Sequence, residues 1–292
     1  MTAPDDDAPG GQERFSADWL SLREPVDHRS RSPRVLATLC RWAAGKKLLR
    51  VIDLGCGSGS NLRYLSPRLP VSQRWVCVDQ DAELLQRLAA NTPKSPQLLG
   101  LTTRVASLHT SGLLANIDAS TLLTASALLD LVSEDWLADL VGQCQRKGAA
   151  LLASTTYDGR VAIHPKQPED NWIMELFNAD QRRDKGMGPA LGPNAAKTLR
   201  RIAQGLGFRL HQGSSDWQLE RDDLEVARSL VAGWVEAVER QAPHQRGRIT
   251  PWHRQRQDSL AAGELLIRVG HQDLFLEPSP TDIGPGPVLG RD

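Results

Sequence analysis

The sequence predicts an α/β fold: a doubly wound, mostly parallel sheet covered by helices. Three observations carry this. Short apolar strand patterns alternate with amphipathic helix patterns from residue 33 to residue 154. The first strand runs directly into alternating glycines, in the run Val51-Ile52-Asp53-Leu54-Gly55-Cys56-Gly57-Ser58-Gly59-Ser60-Asn61. A second apolar strand, Trp75-Val76-Cys77-Val78, ends in Asp79, 20 positions after Gly59.

The elements follow in order. Residues 15–31 form a short amphipathic lead-in, and a helix is expected over 33–44. Strand one covers 51–54, and a short helix begins at Asn61 and is perturbed by Pro67. Strand two is 75–78, and a helix over 82–90 places Leu84, Leu85 and Leu88 at helical spacing. Strand three lies in 101–106 and strand four within 121–129. Ser133 caps a helix over 134–146 whose first turn carries acids, where the helix dipole favours them. Strand five is 149–154. Beyond it, 159–194 is polar and rich in Gly and Pro, and is expected to be a lid-like insertion holding a short helix around 171–178. A helix over 194–206 and strand six at 208–212 follow. A helical insertion at 218–263 contains helices over 224–241 and 254–262. Strand seven, 265–276, is kinked at Gly270. Residues 1–14 and 277–292 read as disordered flanks of a domain spanning 15–276.

Composition narrows the partners. The chain has 292 residues, with Lys+Arg and Asp+Glu both at 35, so no global field draws nucleic acid or an anionic membrane. No apolar run reaches membrane-spanning length. Four isolated cysteines without C-x-x-C spacing read as reduced core residues of a cytoplasmic protein, and no Cys/His cluster suggests a metal. Oligomeric state is left open by composition.

The glycine run suits a nucleoside at the carboxyl edge of a parallel sheet. Glycines allow a tight turn and close approach to a ligand, and the acid after the next strand can accept both ribose hydroxyls. A dinucleotide loop reads G-x-G-x-x-G/A, and the third position falls on Ser60 or Leu62 in the two possible registers. The observed D-x-G-x-G-x-G instead resembles motif I of class I S-adenosylmethionine-dependent methyltransferases, which are Rossmann-like. The resemblance spans roughly 48–276 in element order, with its specific motifs in 51–79. It implies a seven-stranded, mostly parallel sheet with a late antiparallel strand, and S-adenosyl-L-methionine as cofactor. It also implies that Gly55, Gly57 and Gly59 face the methionine part and that Asp53 orients its ammonium. Asp79 would hold the ribose, with Gln80 bordering the adenine. Ser107 would stand where the family often has an acid at the adenine amino group, and Ser126 would lie at the strand-four edge. The Asn/Asp-Pro-Pro-aromatic motif of DNA amino-methylating enzymes is absent from 122–131. Residues 127–133 (ALLDLVS) and 177–193 (FNADQRRDKGMGPALGP) resemble a bacterial methyltransferase subgroup that acts on small molecules.

The expected function is methyl transfer to an O or N nucleophile of a small molecule. A hydroxyl acceptor needs a base, and Asp130, His164 and Asp158 are the candidates. Tyr157, Trp19, Arg23 and Glu24 are weighed as site-lining residues against plain packing roles, and Arg182, Arg183 and Lys185 as binders of an acidic substrate against a solvated loop. Three other readings stand beside this one: a nicotinamide oxidoreductase, which the glycine register disfavours and absence of NAD binding would remove, and two more. One is a protein or RNA methyltransferase sharing the same cofactor site. The other is a non-enzymatic protein that holds the cofactor, which turnover to S-adenosylhomocysteine would exclude.

Overall fold

The computed structural model describes residues 16–110 and 112–279. The expectations for 1–14 and for most of the C-terminal tail therefore lie outside the described residues. Two helices lead in, α1 (Ala17–Ser30) and α2 (Pro33–Ala44). Each begins on a serine whose hydroxyl accepts a backbone N–H of the first turn. The alternating part follows as β1 (Leu49–Leu54), α3 (Ser60–Leu65), β2 (Gln73–Asp79), α4 (Ala82–Ala90), β3 (Leu98–Val105), β4 (Thr121–Ser126), α5 (Glu134–Lys147) and β5 (Ala150–His164). Then come α6 (Asp170–Asp180), α7 (Ala195–Gly205), β6 (Arg209–Ser214), β7 (Trp217–Leu219), α8 (Leu224–Gln241), α9 (Arg246–Ala261) and β8 (Leu266–Glu277).

The strands lie in the order β3-β2-β1-β4-β5-β8-β6. The first five run parallel, and β8 is antiparallel to both β5 and β6. This is the doubly wound, mostly parallel sheet with one late antiparallel strand that the sequence predicts. The period-2 alternation of the strands divides their side chains between two cores. Val51, Cys77 and Leu122 face Leu39 of α2, Leu62 of α3 and Leu88 of α4. Ile52, Val78 and Leu123 face Leu137 and Leu140 of α5 and Leu199 of α7.

A third core was not foreseen. It gathers Val26 of α1, Ile173 of α6, Trp234 of α8, Trp252 of α9 and Ile267 of β8. It exists because β5 does not end at residue 154. The strand passes a register shift near Thr155 and another opposite Gly270, then continues to His164, paired with Leu266. The polar stretch Thr155-Thr156-Tyr157-Asp158-Gly159-Arg160 reads as a loop in sequence because it carries the irregularities that bend the strand. Residues 159–164 thus belong to the sheet, and the expected lid loses that portion to the strand. His164, one of the candidate bases, is an exposed strand-end residue. The three-residue β7 also pairs with the outer half of β8 and was not expected. Helix α9 starts at Arg246 rather than 254, with Pro251 accommodated inside it. The tail begins after Glu277, the last residue of β8. No helix among the described residues is long and apolar enough to cross a membrane.

The third core packs the helical insertion against α1, α6 and the outer halves of β5 and β8. Replacing the buried Trp234 by alanine leaves a large void there. Urea unfolding of Trp234→Ala should show a loss of about 3–5 kcal/mol; a loss below about 1 kcal/mol would mean that the insertion is not packed as described.

Candidate functional site

The carboxyl ends of β1, β2 and β4 open into one cleft. At such an edge successive strands connect to opposite faces, which leaves a crevice between their loops. The floor is the loop Gly55-Cys56-Gly57-Ser58, and Asp53, Asp79, Gln80, Asp81 and Ser126 also line the cleft. Gly55 and Gly57 take φ values of +61° and +52°, a region costly for residues with a side chain. A Cβ on Gly57 would lie 3.2 Å from Leu20 of α1, so the loop is also pressed from above.

Asp79 organises the loop. Its Oδ2 accepts the Gly57 N–H at 2.8 Å and its Oδ1 accepts the Asp81 N–H at 3.0 Å. Burial raises its pKa, opposed by these N–H bonds. Asp81 in turn caps α4 by accepting from the N–H groups of Glu83 and Leu84. Asp53 lies deeper, at 1% exposure. Its Oδ1 accepts from Asn61 Nδ2 at 2.9 Å, while its buried Oδ2 has no hydrogen-bond partner. Burial pushes its pKa up to about 7, with the Asn61 bond and the Arg31 charge opposing.

The roof comes from elsewhere in the chain. Helix α1 contributes Leu20, Arg23 and Asp27, and the loop after α6 contributes Lys185 and Met187. Arg23 grips Asp27 through two bonds of 2.9 and 3.1 Å, and Asp27 also accepts from the Trp217 indole at 3.0 Å. Ala106 and Leu108 after β3, and Leu128 and Leu131 after β4, supply apolar walls.

The predicted residues divide. Asp53, Gly55, Gly57, Asp79, Gln80 and Ser126 share the cleft; Gly59, Ser107, Asp130, His164 and Asp158 are not part of its lining. Gly59 instead lets the loop pack on α4, since a Cβ there would come 2.6 Å from Leu88 Cγ. The Ser107 hydroxyl accepts the His109 N–H. Asp158 is engaged by Arg160 and by Gln272 Nε2 at 2.9 Å. His164 stands at the far end of β5. Asp130 anchors the loop before α7 by accepting the Gly192 N–H on its carbonyl at 2.9 Å. Tyr157 is buried and donates its hydroxyl to Asn178 at 2.8 Å. Arg31, Asn61 and Asp27 were missed as site residues. Asn61 had a signal, a polar residue in the first turn after the glycines, whereas Arg31 had none.

No family model matches the chain, and no curated protein matches it. Solved structures of similar architecture include a cyclopropane synthase from Mycobacterium tuberculosis, 13% identical, with 93% of this chain and 100% of that one covered and a TM-score of 0.45. The YcgJ protein from Bacillus subtilis is 13% identical over 86% of this chain and 99% of its own, with a TM-score of 0.47. An S-adenosylmethionine-dependent methyltransferase from Geobacter sulfurreducens, in complex with S-adenosyl-L-homocysteine, is 14% identical over 90% and 99%, with a TM-score of 0.45. None of these reaches a TM-score of 0.5, and the assignment of the cleft rests on the chain's own residues.

The raised pKa of Asp53 has a stability consequence. Between its ordinary value of 3.8 and about 7 the folded chain holds a proton that the unfolded chain releases. Wild-type stability should therefore fall as pH rises through this window. Asp53→Asn cannot ionise, so it should gain on the wild type from about pH 4 to about pH 7 in urea titrations. A difference that stays constant across the window would refute the assignment.

Proposed function

We propose that the protein is an S-adenosyl-L-methionine-dependent methyltransferase acting on a small-molecule acceptor through an O or N nucleophile. The observation that carries this reading is the unpartnered, buried Oδ2 of Asp53 beside a glycine-floored cleft. An isolated buried carboxylate oxygen is costly, and a cationic ligand group relieves that cost. The fit extends further. The cleft has acids where a nucleoside's hydroxyls and an amino acid's ammonium need them, and its apolar walls suit a base. No phosphate-binding glycine register accompanies them.

In this reading Asp53 receives the ammonium and Asp79 the ribose hydroxyls, while Leu84, Ala106 and Leu108 flank the adenine. When bound, the cofactor supplies a sulfonium methyl group, already activated for transfer. The chain's task is then to align an acceptor and to exclude water. In favourable cases such positioning supplies about 7–11 kcal/mol. Leu20 and Arg23 of α1, with Lys185 and Met187, would enclose the acceptor. This gives acceptor selection to the short stretch 181–190 of the expected lid. Of the three candidate bases, Asp130 is the one to test first, because Leu128 and Leu131 on either side of it both line the cleft. Asp158 is committed to Arg160 and Gln272, and His164 is remote in the sheet.

Isothermal titration should show S-adenosylmethionine binding and no NAD binding. Asp79→Ala should weaken that binding by about 1.5–3 kcal/mol, the worth of charge-assisted hydrogen bonds; unchanged affinity in folded protein would remove the ribose assignment. The charged and titratable groups around Asp53 are Arg31, Asp79 and the Cys56 and Cys77 thiols. A cationic ammonium needs Asp53 ionised, so affinity should drop as pH falls from about 8 to about 6. A flat profile would argue that the ammonium sits elsewhere. Asp130→Asn should retain cofactor affinity and lose methyl transfer; undiminished turnover would make Asp130 structural.

A further inference from the structure

The partner of Asp53, Asn61, is itself held by a residue outside the glycine motif. Arg31 lies at the joint between α1 and α2 and is 6% exposed. Its guanidinium spends its donors on three different elements. Nε reaches Asp273 Oδ2 of β8 at 3.3 Å, Nη2 reaches Ser154 Oγ of β5 at 2.6 Å, and Nη1 reaches Asn61 Oδ1 of α3 at 3.1 Å. The last contact decides the amide. A guanidinium only donates, so the Asn61 oxygen must face Arg31 and its NH₂ must face the other way. That NH₂ then donates to Asp53 Oδ1 at 2.9 Å and to Thr124 Oγ1 at 3.0 Å. Without Arg31 the amide loses the reason for this orientation, and the reversed one would set its oxygen against the Asp53 carboxylate.

We propose that Arg31, acting through Asn61, is the positioning residue for the cofactor's amino-acid end: it orients the amide that occupies Asp53 Oδ1 and so presents Oδ2 to an ammonium group. This rests on the cofactor reading above. It places the determinant of motif I geometry on the lead-in helices, about 20 residues before the motif begins. Neither Arg31 nor Asn61 hydrogen-bonds Asp79, to which the cofactor reading gives the ribose. The relay should therefore act on the ammonium alone.

The test is titration of the full chain with two ligands. S-adenosylhomocysteine carries the ammonium, whereas 5′-methylthioadenosine keeps the nucleoside and thioether and lacks the amino acid. Arg31→Met would leave the buried Asp273 carboxylate without its cation, so two milder variants are used. Arg31→Lys retains the charge but cannot serve three directions with a fork, and Asn61→Ala removes the relay while Arg31 and Asp273 stay. Circular dichroism melts confirm folding. Both variants should weaken S-adenosylhomocysteine roughly tenfold to a hundredfold, and 5′-methylthioadenosine less than about twofold. Equal weakening of both ligands, or undiminished S-adenosylhomocysteine affinity in a folded variant, would overturn the proposal while leaving the cofactor reading in place. Failure of the wild type to bind either ligand would defeat the cofactor reading itself, and the proposal with it.

Discussion

An almost wholly buried cation, Arg31, joins the lead-in helices to the sheet. Burying a guanidinium is affordable only if nearly every donor finds an acceptor and its charge finds an opposite one. Arg31 meets both conditions, and also lies over the Tyr64 ring, 4.6 Å from its centroid. Its counter-charge, Asp273, is 2% exposed and accepts the backbone N–H groups of Ser32 and Thr155, each at 2.9 Å. The lead-in helices, the central strands and the antiparallel strand are all tied to one side chain. The geometry at Thr155 shows how much this arrangement constrains. A β-branched residue at φ +49° is a backbone outlier, of the kind that costs about 1–3 kcal/mol. Here it aims an N–H at Asp273.

The three cores divide the labour. Two of them sandwich the sheet and fix the carboxyl edge on which the cleft is built. The third supports the roof, through α1 and through the packing of α6 that precedes the Lys185–Met187 loop. Because β5 and β8 run through both regions, floor and roof share two continuous strands. The cleft is accordingly framed by rigid elements on both sides, with the 181–190 loop as its least regular wall.

The floor was legible in the sequence because its chemistry is local. Alternating glycines, a strand-ending acid and a second strand-ending acid lie within 27 residues of one another, and such spacing survives translation into space. The sheet was legible from its alternation, which is also local. Arg31 and Asp273 were not, since they meet across 242 positions and neither has a pattern around it. The end of β5 misled for a different reason. Its polar, glycine-bearing stretch carries the bulges of a strand, and bulges and loops look alike one residue at a time. Gly59 carries a role that the motif does not announce: its missing side chain makes room for Leu88.

The antiparallel strand has a consequence for how the molecule comes into being on the ribosome. β8 is the last strand among the described residues, yet it slots between β5 and β6 and delivers Asp273 to Arg31, 242 positions earlier in the chain. Until it emerges, Arg31 has no counter-ion, Thr155 has nothing to hold its unusual conformation, and β5 and β6 face a gap. A nascent chain carrying the complete glycine motif is thus still without a finished site. The Arg31–Asp273 pairing is withheld until β8 has been made, so that a prematurely released fragment with the full glycine run would lack the tie that joins α3 to the antiparallel strand.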